Sequence, residues 1–258
     1  MALPAPTVVL LTDFGNDPYV GVMKGVILSR CPEARLVDLT NHVGPGNVRE
    51  GAWLLLANYA YFPPCSIFLA VVDPGVGTAR KALAVRAGSY FFIGPDNGLL
   101  YPAVADAGIE EIIALPVPKH ASRTFHGRDV FAPAAARIAA GVPLGKIDTQ
   151  VVPVVRLKFF RKGRDGEVVT IDRFGNVITN LPPLAQRESY RVQFSHPGGD
   201  EYFEGELAYR ATYAAVPNAA KREPFIITSS SGTLEVALRG TAAAPRIGVL
   251  VGDRVRID

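Results

Sequence analysis

A chain of 258 residues, 48% hydrophobic and 20% charged, can bury a substantial core in one large domain or two modest ones. A net charge of +3 is too small to build a surface for nucleic acid, and no apolar run reaches the ~20 residues that cross a bilayer. The two cysteines, Cys31 and Cys65, fit no metal-ligand or redox spacing, which predicts reduced thiols in a reducing compartment.

The opening "MALPAPTVVLL" lacks the basic region and long apolar stretch of a signal peptide or membrane anchor, so a cytoplasmic protein is expected. "TVVLLTDFG" then predicts a buried strand ending in a turn, and "YVGVMKGVILSRC" has the apolar period of a helix. "ARLVDLT" predicts a strand and "NVREGAWLLLANYAYF" a second helix. "SIFLAVVDPG", "ALAVRAG" and "YFFIGPDNG" are three further strands with turn residues at their ends. Strands alternating with crossover helices imply an α/β domain with a central, mostly parallel sheet, placed at residues 1–155. The basic stretch "RLKFFRKGRDG" between Arg156 and Gly166 reads as a solvated linker. Beyond it, "GEVVTIDRFGNVITN", "SYRVQFSHPG", "EPFIITSSSGTLEVALRG" and "RIGVLVGDRVRID" are strands separated by turns. They predict a small all-β, barrel-like domain over residues 166–258.

Polar residues gather where the strands of the first domain end. Asp13 follows "VVLLT", Asp73 follows "FLAVV", and Asp96 with Asn97 follows "YFFI". Ligands of open α/β sheets bind beyond the carboxyl ends of the strands, whereas a single aspartate there is usually a turn or cap residue. In "TFHGRDVFAPAAARIAAG", Pro133 suits a first helical turn, the alanines favour helix, and Gly141 ends it. The loop ahead of that helix carries His126, Arg128 and Asp129, more polar groups than a cap requires. The other histidines, His42, His120 and His196, lie in Gly-, Pro- or Asn-rich loops and read as solvated. No Walker loop, GxGxxG, HExxH or GxSxG motif occurs, and no His/Asp cluster has metal-ligand spacing.

Five blocks, "TDFGNDPYVGVMKGVI", "VVDPGVGTAR", "GPDNGLL", "FHGRDVFAPAAA" and "DRFGNVITN", occur in an order that resembles the adenosine-forming S-adenosylmethionine hydrolases. These are also called S-adenosylmethionine hydroxide adenosyltransferases and are relatives of the fluorinases and chlorinases. The resemblance spans Thr12 to about Gly240 and implies an N-terminal α/β domain, a C-terminal barrel-like domain and a homotrimer. It implies a substrate held between the N-terminal domain of one subunit and the C-terminal domain of its neighbour. S-adenosyl-L-methionine is then the substrate and adenosine a product, with no cofactor, metal, nucleic acid or membrane partner. By position, the resemblance assigns Asp73, Arg80 and His126 to catalysis, with His126 facing a water beside the adenosyl group. His126 serves there as general base or as a group that orients hydroxide. Halogenating relatives have a tyrosine where Asp73 stands and lack this histidine.

The same carry-over gives Asp13 the ribose hydroxyls and sets Phe125 beside the catalytic histidine in the substrate-binding set. It places Asp17, Asp172, Asn176 and Ser230 around the methionine part, and Phe174 and Tyr213 on the nucleoside. Adenine is expected to meet mainly backbone near Arg239 and Gly240. Tyr19 departs from the family pattern, standing where the fluorinase has a serine that touches methionine. The resemblance leaves two rivals to hydrolysis: a chlorinase-like halide adenosyltransferase, and a module that binds the nucleoside without turnover.

Overall fold

The computed structural model describes residues 5–148, 154–217 and 222–258; the first four residues of the leader reading lie outside the described residues. The chain divides into two units, Met1–Lys158 and Phe159–Asp258. In chain order the first contains β1 (Thr7–Thr12), α1 (Tyr19–Leu28), β2 (Arg35–Thr40), α2 (Val48–Asn58), β3 (Ile67–Val71), β4 (Ala82–Ala87), β5 (Tyr90–Pro95), α3 (Tyr101–Ala107), β6 (Ile109–Ala114) and α4 (Ala132–Ala139).

The six strands lie in the order β2-β1-β3-β5-β4-β6. β1 pairs in parallel with β2 and β3, and β3 with β5, while β4 runs antiparallel between β5 and β6. β1 and β3 are apolar along their length because both faces of the sheet are covered. Leu10, Leu69 and Ile93 face a core shared with Val20, Met23 and Ile27 of α1 and with Ala132, Ala135 and Ile138 of α4. On the other face, Gly51 of α2 sits so close to Leu99, Val72 and Leu11 that a Cβ there would lie 2.8 Å from a Leu99 methyl. Asn47 caps α2 by accepting from the Glu50 amide at 3.1 Å, and the Glu50 carboxylate accepts from the Gly44 amide at 2.9 Å.

The second unit contains β7 (Asp165–Ile171), β8 (Val177–Thr179), β9 (Ser189–Ser195), β10 (Glu201–Ala208), β11 (Phe225–Thr228), β12 (Leu234–Ala237), α5 (Ala243–Ile247) and β13 (Arg254–Ile257). Its strands form one antiparallel sheet in the order β10-β9-β13-β7-β8-β12-β11. A bridge between Tyr209, just past β10, and Ile226 of β11 brings the two edges together and nearly closes a barrel. β9 alternates, with Tyr190, Val192 and Phe194 pointing into the barrel core.

Pro133 lies in the first turn of the alanine-rich helix, as expected, and a π-helical turn over Gly127–Phe131 precedes that helix. Other expected elements are corrected. The C-terminal "RIGVLVGDRVRID" is not strand throughout: α5 ends at Ile247, and only Arg254–Ile257 pairs. The elements α3, β6 and β10 were not expected. No helix among the described residues is long and apolar enough to cross a membrane.

Candidate active site

β1 and β3 are adjacent and in register, with Thr12 opposite Val71, so the chain delivers Asp13 and Asp73 just past the same edge of the sheet. β1 leads through α1 to β2 on one side, and β3 lies on its other side, so the order of connection reverses at this pair. That reversal opens a crevice at the carboxyl ends of the strands. Asp13 accepts a hydrogen bond from the Gly46 amide at 2.8 Å. The Asn97 amide donates to the Val72 carbonyl at 2.9 Å and so braces the residue before Asp73. Asp96 is a loop tie, accepting from the Val155 amide at 2.7 Å.

Asp73 and Arg80 form a two-pronged ion pair, Nε to Oδ1 at 3.0 Å and Nη2 to Oδ2, and both side chains are more than nine-tenths buried. The turn between them depends on Gly77: its φ is +75°, and a Cβ there would come within 2.2 Å of the Arg123 carbonyl oxygen. The Arg80 guanidinium also lies 5.3 Å from the centre of the Phe131 ring and donates from Nη2 to Nδ1 of His126 at 2.9 Å. His126 occupies the N-cap position of the π-helical turn and is 5% exposed. An arginine only donates, so Nδ1 accepts and the imidazole proton resides on Nε2. Burial above all, and then the Arg80 charge, hold the His126 pKa below its ordinary 6.5; Asp73 and Asp129 oppose the shift.

A cavity of about 320 Å³ lies over this group, lined by Asp13, Asp17, Asp73, Thr124, Phe125 and His126 among others. Arg80 is not in its wall and works from behind Asp73 and His126. Phe14, Tyr19 and Phe125 form a ring trio with centroids 5.1–6.1 Å apart. The remaining polar residues of the histidine loop brace it. Arg128 pairs with Asp129 at 2.7 and 2.9 Å, and Asp129 accepts from the Ser122 amide at 2.7 Å.

The second unit carries a cavity of about 550 Å³, lined by Asp172, Phe174, Asn176, Tyr213, Arg239 and Gly240 among others. Asp172 ties its own turn: Oδ1 accepts from the Phe174 and Asn176 amides at 2.8 and 2.9 Å, and Oδ2 from the Asn176 side chain at 2.9 Å. Gly175, at φ +80°, approaches so closely that a Cβ would fall 2.8 Å from the Ala242 Cα, and its carbonyl accepts from the Ala243 and Ala244 amides. The turn therefore presents Phe174 outward, 69% exposed. Tyr213 is 47% exposed, yet its hydroxyl donates to the Glu235 carboxylate. Arg239 donates to the Val216 carbonyl at 2.5 Å. Ser230 does not line this cavity and lies in the exposed turn between β11 and β12.

Phe131 and Glu235 were not singled out from sequence. A lone acid inside the apolar run "TLEVAL" was the available signal for Glu235. Among the described residues, no group of three or more His, Cys, Asp and Glu side chains is arranged to hold a metal ion.

The two units also match known families separately. Residues 8–148 match the SAM hydroxide adenosyltransferase N-terminal domain and residues 166–256 its C-terminal domain. The chain belongs to this family. An (R)-S-adenosyl-L-methionine hydrolase of Salinispora tropica is 39% identical to it, over 98% of this chain and 98% of that one. A fluorinase of Actinopolyspora mzabensis is more distant, 27% identical over 98% and 97%. The crystal structure of an uncharacterized conserved protein from Thermotoga maritima superposes with a TM-score of 0.87 at 34% identity, covering 97% of this chain and all of that one.

Proposed function

We propose that this member of the family hydrolyses S-adenosyl-L-methionine to adenosine and L-methionine, with oxygen from water attacking the ribose 5′-carbon. The observation that carries the reading is the buried Asp73–Arg80–His126 chain of hydrogen bonds in the β1/β3 crevice, in a protein 39% identical to a named hydrolase of that substrate. The sulfonium is already an excellent leaving group, so the enzyme's work is to place a weak nucleophile in line with the C–S bond. With Nδ1 occupied by Arg80, Nε2–H of His126 is the group left to donate to the nucleophile's oxygen. Asp73, in the same cavity wall, accepts from the nucleophile's O–H. These two bonds of opposite sense aim an oxygen lone pair at carbon. The oxygen forms the new C–O bond, the C–S electron pair leaves with methionine, and the water proton passes to solvent. His126 thus orients the nucleophile and is not the base.

In this reading Asp13 accepts from the ribose hydroxyls, as a carboxylate does in bidentate fashion. Phe125 packs beside the reacting centre, and Asp17 stands near the methionine part. In the second unit, Phe174 and Tyr213 supply aromatic faces for the nucleoside, Asn176 and Asp172 polar contacts for the methionine part, and Arg239 a neighbour for adenine. Ser230 keeps only the role its motif implies. The two half-sites come together between subunits of a homotrimer that works in the cytoplasm, where the free Cys31 and Cys65 suit a reducing setting. A halide in place of the water would meet the Asp73 carboxylate in a desolvated pocket, which disfavours halide transfer.

The test is incubation of the purified protein with S-adenosyl-L-methionine, followed by chromatography. Adenosine and methionine are expected. Free adenine would mean glycosidic cleavage and end the proposal, and tight binding without product would mean a binding module.

A further inference from the structure

We propose that Glu235 is a positioning residue for substrate binding, fixing the Tyr213 hydroxyl and through it the wall of the cavity in the second unit. The inference rests on the function proposed above. Glu235 sits in β12, 5% exposed, opposite Ile227 on β11 and Ile178 on β8. A carboxylate in such a place is costly to bury unless it is hydrogen-bonded. None of the ion pairs among the described residues includes it, and its hydrogen-bond partner is the Tyr213 hydroxyl. Burial pushes its carboxyl pKa up, and the bond from Tyr213 opposes that shift.

Tyr213 has the complementary problem. Half its surface is open, and its ring meets Phe225 edge-on at 6.1 Å, so its hydroxyl is the anchored end. Asn176 joins the two ends of the network. Its side-chain amide donates to Asp172 Oδ2 at 2.9 Å and approaches the Tyr213 oxygen at 3.5 Å. The order of donation runs from Asn176 to Tyr213 to Glu235, with Asn176 also donating to Asp172. With its amide nitrogen directed at these two partners, Asn176 has Oδ1 as the atom left to accept from a ligand. Glu235 does not line the cavity, while Tyr213, Asn176 and Asp172 all do. It therefore acts on a ligand only through them.

The test uses the full-length protein with Tyr213→Phe, Glu235→Leu, Glu235→Gln and the double variant Tyr213→Phe/Glu235→Leu, assayed for adenosine formation across substrate concentration. Tyr213→Phe and Glu235→Leu should each raise KM about ten-fold, the scale of one hydrogen bond to a charged group, with kcat within about two-fold of wild type. Glu235→Gln keeps an acceptor in place and should restore KM to within about three-fold, which a loss of packing would not do. The double variant should be no worse than the worse single, because both remove one bond. A wild-type KM in Glu235→Leu despite a lowered melting temperature would overturn the proposal, as would KM effects that multiply in the double variant. Should Glu235→Leu not fold, Tyr213→Phe and Glu235→Gln decide alone: an unchanged KM in Tyr213→Phe refutes the inference. A wild-type protein that forms no adenosine would strike the proposed function instead.

Discussion

Replacing Arg80 by methionine separates the parts of the proposed catalytic group. The guanidinium holds Asp73 with two hydrogen bonds and His126 with a third, and both ion-pair partners are almost wholly buried. Removing one partner of a buried pair leaves the other charge uncompensated, which costs about 3–5 kcal/mol. For a chain of this size that corresponds to a fall in Tm of roughly 6–20 °C, readable by calorimetry. The imidazole should respond in a defined direction. Arg80 lowers the His126 pKa and Asp73 raises it, so Arg80→Met should move its titration upward, while Asp73→Asn should move it downward. NMR of the imidazole C–H signals reads both shifts, with four histidines to assign. Turnover in Arg80→Met should fall ~10²-fold or more, the usual scale for a proton-handling or orienting group. Shifts of the same sign in the two variants, or a His126 titration unmoved by Arg80→Met, would refute the proposed hydrogen-bond chain.

Wild-type activity should lose its acid limb only below pH 6.5, because the His126 pKa is depressed and the neutral ring is the active form; a limb above that value would contradict the assignment. The same shift carries a stability term that is whole above pH 6.5 and is lost as pH falls through the depressed folded value. Asp13→Ala should raise KM about 10- to 100-fold with little change in kcat, since it deprives the ribose hydroxyls of an acceptor; an unchanged KM would mean the ribose lies elsewhere. Gly77→Ala should cost roughly 1–3 kcal/mol in backbone strain alone, and more from the contact with Arg123, lowering Tm and turnover together. Light scattering should give three times the chain mass, and full activity in a monomer would contradict a site shared between subunits.

The α/β layer was legible because its central strands are buried on both faces. "TVVLL" and "IFLAV" read as continuous apolar runs and fold as β1 and β3. β10 was not legible, because "EYFEGELA" is a strand with a single buried residue, and its three glutamates give it the composition of a loop. Pro245 hid α5, although proline sits easily in the first turns of a short helix. At the candidate site, Asp13, Asp73 and His126 were conspicuous as polar residues at strand and helix ends. Distances were not: nothing in the spacing of Arg80 and His126 says that a guanidinium nitrogen meets Nδ1, the contact that sets the tautomer. Arg128 and Asp129 were conspicuous as well, yet they brace the loop, since a strong local pair has the same sequence signature as a catalytic one.

Turnover in ¹⁸O-labelled water tests the central claim most directly. Oxygen attack on the ribose 5′-carbon requires the label to appear at the 5′-hydroxyl of adenosine, one atom per turnover, with methionine unlabelled, and mass spectrometry of the separated products reads both. Adenosine formed without ¹⁸O at that position would contradict the account.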